Sequence, residues 1–184
     1  MTMCDWCRVS ASCHQPEWHK RAVINGDLYC DVALIKKMPI ISFGHTTPCF
    51  VSKNKLVTRR YWTSRHLDQF NKDDYIKAYS KGAQYGGECI GIIKLTDRPF
   101  KQPTGKMTNE DYTLEGFEYL DEEYEKRTHG GHQLVNTFNS WVEQNKTLSV
   151  VPFEIIEIFP GMMEKYTTDE EIIKAVKALQ RAIG

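Results

Sequence analysis

Lys55, Thr58 and Arg60 stand in the run KNKLVTRRYW, residues 53 to 62, where four cationic side chains and a lone threonine surround two aliphatics. A strand written only to fill a core has no use for that composition. An amine, a hydroxyl and a guanidinium brought together can do two kinds of chemistry. The hydroxyl becomes a nucleophile once a base takes its proton, and the cations can hold an oxyanion or a phosphate. In an ideal strand Lys55 and Thr58 point to opposite faces, because side chains alternate with period two. They share one site only if the chain bends, and Asn54 in SKNK tolerates a turn conformation. This places Lys55 at the mouth of a strand, Thr58 and Arg60 on its inner face, and Arg59 and Tyr61 on the opposite face.

A second constellation lies in CDWCRVSASCH and HKRAVINGDLYC. Cys4 and Cys7 form a C-x-x-C knuckle, which offers two thiolates to zinc from one tight turn. NGDLYC reads as a hairpin turn delivering Cys30, and Cys13, His14 or His19 would complete the set. Four protein ligands leave no open position for water, so such a zinc is structural. Buried free thiols or a redox pair are the alternative, because Ala33 stands where a second C-x-x-C would end. His45, His66, His129 and His132 have no ligand-like spacing.

The chain has 184 residues, enough for one domain with a sizeable core and a small appendage. Lys plus Arg and Asp plus Glu each number 24, which removes any uniform attraction to nucleic acid or to an acidic membrane. Polyanion binding must come from a local patch. MTMCDWCRVS has no apolar leader and VVPFEIIEIF, the most apolar run, carries two glutamates, so a cytoplasmic protein without a membrane partner is expected. Six cysteines in a reducing compartment fit a metal site or buried thiols better than disulfides.

The elements that must position these residues divide the chain at 1–37, 38–160 and 161–184. The first segment is Cys-rich with little periodicity. From Met38, PIISF, PCFVS, KLVTRRYW, DYIKAYS, ECIGIIKLTD and VVPFEIIEIF are β-branched or aromatic runs broken by Gly, Pro and Asn, as strands are. AQYGGEC is a tight connection. Three helices are expected: 108 to 125 behind a Thr108/Asp111 cap, 132 to 145, and 168 to 183 behind a Thr168/Glu171 capping box. About six short strands with inserted helices define a small, curled α+β barrel.

KLVTRRYW, DDYIKAYS, GGECIGIIKLTDRPF and MTNEDYTLEGF, in that order, resemble the ASCH domain of the PUA-like superfamily, over about two thirds of the chain from Met38 to Phe159. The resemblance implies a PUA-like β-barrel whose cleft receives RNA or a modified nucleoside. Some members are N4-acetylcytidine amidohydrolases and others single-strand ribonucleases. The family pattern G-x-K-x-x-[ET]-x-R puts its lysine on Lys55, its acid or threonine on Thr58 and its arginine on Arg60, with a further acid on Glu115 in LEGF. Its glycine is Lys53 here. By that likeness Thr58 is the candidate nucleophile, Lys55 its base, and Glu115 the group that orients water or shuttles the proton. A lysine base at pH 7 asks its surroundings to favour the neutral amine by about 4 kcal/mol. Burial and the neighbouring cations push that way, and a close Glu115 pushes back. In the ribonuclease version Lys55 and Arg60 grip phosphate, and Tyr61 or Trp62 stacks a base, with Lys53 and Arg59 adding to the basic surface. A third reading makes the zinc head and the C-terminal helix an interaction module without catalysis. Gly116 costs about 1 kcal/mol inside a helical pattern, which points to close backbone approach beside Glu115.

Overall fold

The computed structural model describes residues 22–24, 27–29 and 38–183, and its contacts cluster into two units, residues 1–39 and 40–184. In the first unit, β1 (Ala22–Ile24) and β2 (Asp27–Tyr29) pair antiparallel, with Ile24 opposite Asp27. Cys4, Cys7, Cys13, His14 and Cys30, the residues expected to hold zinc, lie outside the described residues.

The second unit is built on a six-stranded sheet: β3 (Ile40–Ser42), β4 (Val57–Arg60), β5 (Tyr75–Tyr79), β6 (Cys89–Leu95), β7 (Phe100–Pro103) and β8 (Thr147–Ile158). The spatial order is β3-β5-β6-β8-β4, with β7 also on β8. β3 runs parallel to β5 and every other pair is antiparallel. The twelve residues of β8 form the spine. β6 and then β7 follow one of its edges as a single broken strand, while β4 lies on the other opposite Ser149 to Pro152. Irregular registers at Ala78/Tyr79 and Ile92/Ile93 bend the sheet, as bulges do. The sheet curls into a half-barrel whose two edge strands, β3 and β4, are bridged by the Arg60 guanidinium donating to the Ser42 carbonyl.

Seven helices occur among the described residues. The first two, α1 (Thr47–Val51) and α2 (Ser64–Leu67), have five and four residues. They are followed by α3 (Asn109–Leu114), α4 (Phe117–Thr128), α5 (Leu134–Glu143), α6 (Met162–Tyr166) and α7 (Asp169–Ile183). The core has two parts. Ile41, Phe43, Phe50, Ile76, Ile93, Val151 and Phe153 fill the half-barrel. Phe117, Leu120, Leu134, Phe138, Ile172, Val176 and Leu179 join the helices into a layer. α1 straddles both, giving Phe50 and Val51 to one and Cys49 to the other. Burying a side chain such as Ile172 or Val176 contributes about 1.5–3 kcal/mol, which keeps α7 docked on α4 and α5.

Five of the expected strands are present. PCFVS is instead α1, started by Pro48 in its first turn, where a ring-fixed φ and a missing N–H cost a helix nothing. The sheet still has six strands because β7 takes the missing place. The helix expected over 108 to 125 is two helices, broken at Gly116 (φ +83°), a backbone region that favours glycine. No described helix is long and apolar enough to cross a membrane.

Candidate functional site

Lys55 precedes β4 in a turn whose shape is set by backbone bonds. Asn54 N–H donates to the Cys49 carbonyl at 2.8 Å and Leu56 N–H to the Leu114 carbonyl at 2.9 Å. The second bond lays residue 55 against the end of α3, where Glu115 is the C-cap. The left-handed residue of this turn is Lys53 (φ +63°), not Asn54. Lys53 therefore adopts a conformation that glycine adopts freely, at a cost of about 1–2 kcal/mol.

Glu115 is brought in by the helix end itself. Its N–H closes the last turn on the Asp111 carbonyl at 2.9 Å, and Gly116 follows in the left-handed conformation that terminates helices. A Cβ on Gly116 would lie 2.5 Å from Cys49 Cβ and 2.9 Å from the Asn54 carbonyl oxygen. Conformation and space both demand glycine there, and the close approach locks Glu115 beside Lys55.

The two side chains are almost fully enclosed, Lys55 at 1 % and Glu115 at 3 % exposure. Lys55 Nζ donates to Glu115 Oε2 and, at 2.9 Å, to the Glu115 main-chain oxygen. Arg59 Nη1 donates to the other carboxylate oxygen, Oε1, at 3.0 Å. Arg59 Nη2 reaches Asp111 Oδ1 at 2.6 Å and Gln102 Oε1 at 3.0 Å. Asp111 Oδ2 meanwhile accepts from the Thr108 N–H at 2.8 Å, so the capping box that starts α3 also anchors Arg59. Lys55 and Arg59 thus hold one carboxylate between them.

This corrects the expectation that Arg59 faces away. Val57, Thr58 and Arg59 are all buried, because helices cover one side of β4 and the curled sheet covers the other. With no solvent face, alternation cannot separate an inner residue from an outer one. Arg60 is held by Ser42, with its guanidinium carbon 6.0 Å from the Phe43 ring centre. Burial lowers its basicity below the usual arginine range, and the Glu115 charge opposes that. Thr58 is buried, yet its hydroxyl makes no hydrogen bond among the described residues.

Lys55, Thr58, Arg59, Arg60 and Glu115 line one cleft of about 300 Å³, at the lower end of the range for small-ligand sites. Ser42 to Thr46 close it from the β3 side, Lys81 and Gly82 from the β5–β6 connection, and Phe117, Trp141 and Leu179 from the helices. Lys53, Tyr61 and Trp62 are not part of its lining. Lys53 borders a separate hollow, Tyr61 is 72 % exposed, and Trp62 lies 5.0 Å from Phe70, stacked at 9°. The buried Cys49 thiol behind the pair is pushed up to about 12 by desolvation, so it stays protonated and inert. No group of three or more His, Cys, Asp or Glu residues suited to a metal occurs among the described residues.

Sequence reasoning missed Asp111 as a site residue, reading it only as a cap, and missed Gln102 and Trp141. For Asp111 the capping box was the available signal. For Gln102 no signal existed.

The half-barrel and cleft define a mixed α+β protein with a curled six-stranded sheet. No protein-family model and no curated protein matches the chain. Among solved structures it is similar to that of protein EF3133 from Enterococcus faecalis V583, family-model DUF984. The two share 15 % identity over 67 % of this chain and 83 % of that one, with a TM-score of 0.43.

Proposed function

We propose that this is an ASCH-type, PUA-like protein that takes RNA or a modified nucleoside into the cleft of Lys55, Thr58, Arg60 and Glu115. The single observation that supports the reading best is the convergence of these four residues on one hollow. Three of these residues are picked out by the family pattern and the fourth lies 55 to 60 positions further on, so the pattern by itself gives no packing reason for Glu115 to share their cavity. Calorimetric titration with N4-acetylcytidine and with single-stranded RNA tests it, using wild type and Lys55→Met/Arg60→Ala. Melting curves identify the folded variants. Equal affinities in folded wild type and variant remove the proposal.

The free Thr58 hydroxyl favours a hydrolytic version over plain binding. There, Thr58 Oγ1 adds to an acetyl amide carbonyl while its proton passes to Lys55. Glu115 accepts the proton that Lys55 must first release. The exocyclic amine then leaves, protonated in turn, and water frees acetate from the threonine ester. Mass spectrometry of N4-acetylcytidine incubated with the protein detects cytidine; turnover that survives Thr58→Val sinks this version. The ribonuclease version has less support, since Lys55 is committed to Glu115 and neither Tyr61 nor Trp62 lines the cleft. In the Cys-rich head we infer structural zinc on Cys4, Cys7, Cys30 and one of Cys13, His14 or His19, and elemental analysis finding no zinc in the purified chain removes it.

A further inference from the structure

Beside the Lys55–Glu115 cleft lies a second one of about 340 Å³, and Gly44, His45 and Lys81 form a wall common to both. Its far side carries Lys165, Tyr166, Glu171 and Lys174. The chain has no net charge, yet three lysines and a histidine line this groove against one carboxylate, Glu171. Two of those lysines have acidic partners. Lys165 pairs with Glu88, and Lys174 pairs with Glu171 at 2.9 Å. Both lysine side chains are more than half exposed, and exposed pairs of this kind are worth about 1 kcal/mol or less, so a phosphate can exchange for them. Lys81 is exposed and pairs with nothing among the described residues.

The inner cleft has the opposite character. Its buried cations already hold acceptors, Lys55 and Arg59 on Glu115, Arg59 also on Asp111, and Arg60 on the Ser42 carbonyl, while Arg59 Nε and Arg60 Nε are enclosed without a partner among the described residues. Among the described residues, the ammonium that a phosphate arriving in this region meets without an acidic partner is that of Lys81, at the shared wall. The inner hollow, flanked by Phe43, Phe117 and Trp141, offers apolar and aromatic surface to a ring instead.

Resting on the nucleoside reading above, we propose that the ligand is a phosphorylated nucleoside. Its base and sugar occupy the inner cleft, and its phosphate crosses the Lys81 wall into the groove of Lys165 and Lys174. The phosphate belongs either to a free nucleotide or to the backbone of a strand, and the chemistry that recognises it is the same.

The test is calorimetric titration of the full chain at low salt. The probes are cytidine, N4-acetylcytidine, their 5′- and 3′-monophosphates, and the trinucleotide CpCpC. A phosphorylated form should bind about tenfold tighter than its nucleoside, the effect of one charge-assisted hydrogen bond. The gap should close in Lys81→Ala/Lys174→Ala, two exposed positions whose truncation leaves the core untouched, and should shrink as salt rises. Tighter binding of the trinucleotide assigns the phosphate to a strand, and tighter binding of a monophosphate assigns it to a free nucleotide. Equal binding of nucleosides and phosphorylated forms overturns this proposal while sparing the nucleoside reading. A gap that persists in the double variant overturns the assignment to this groove. Failure of every probe to bind overturns both readings.

Discussion

Two carboxylates in the helical layer are equally hidden and differently satisfied. Asp121, on α4, is 0 % exposed, and Glu115, six residues earlier, is 3 % exposed. Asp121 accepts the Gln133 and Leu134 backbone N–H groups, each at 2.8 Å, together with the Tyr112 hydroxyl. Its hydrogen-bond donors are neutral groups, two of them at the start of α5, the helix end that favours an anion, and the His132 imidazole lies 3.7 Å away. It joins α3, α4 and α5 and lines no cleft described above. Glu115 instead takes its side-chain hydrogen bonds from two cations and opens on the cleft. A fold that needed only to bury a carboxylate had the Asp121 solution at hand. Enclosing Lys55, Arg59 and Glu115 together costs desolvation that apolar residues of similar volume would avoid. Under the reading proposed above, the difference separates a joint of the scaffold from a charged group kept for a ligand.

The sharpest way to break this contrast begins with Glu115→Ala. It strands Lys55 and Arg59 without their shared counter-charge and should cost about 3–5 kcal/mol in chemical denaturation. Lys55→Met/Glu115→Leu should recover most of that stability while ligand affinity stays lost, because Arg59 keeps Asp111 and Gln102. If the apolar pair is as unstable as the single variant, the charges belong to the scaffold after all. Next in size, Asp121→Asn should lose about 2–3 kcal/mol, since an amide cannot accept from all three donors. Ligand affinity, measured well below the melting transition, should be unchanged; a large drop there would merge the two carboxylates into one role. Thr58→Val should change stability by no more than about 1 kcal/mol, because the hydroxyl has no partner to lose. Under the proposed hydrolytic reading it should nevertheless abolish release of cytidine from N4-acetylcytidine. The smallest effect has the opposite sign: Lys53→Gly should stabilise by about 0.5–1 kcal/mol in equilibrium unfolding, relieving a left-handed lysine. No gain would show that Lys53 makes compensating contacts.

Much of the sheet was legible because its strands are β-branched runs separated by Gly, Pro and Asn. Where reading went astray, two local signals competed. In TTPCFVS the β-forming Cys-Phe-Val outweighed the Pro that starts a helix. FKQP in β7 gave no strand pattern at all, since its place is won by pairing with β8 rather than by its own residues. Lys55, Thr58, Arg60 and Glu115 were found through the family pattern and meet in one cleft. Arg59 was put on the wrong side because alternation presumes a solvent face, and β4 has none along its first three residues. Which cation pairs with which acid depends on contacts between segments some 60 residues apart, and no local pattern records those.

At Gly116 there is room for a hydrogen atom and nothing larger. A library randomised at that codon and screened only for folded protein should return the same residue as one screened for ligand capture. Evolution can therefore retune this hollow through Thr58, Lys81 or Trp141, whereas the hinge that carries its carboxylate is closed to drift.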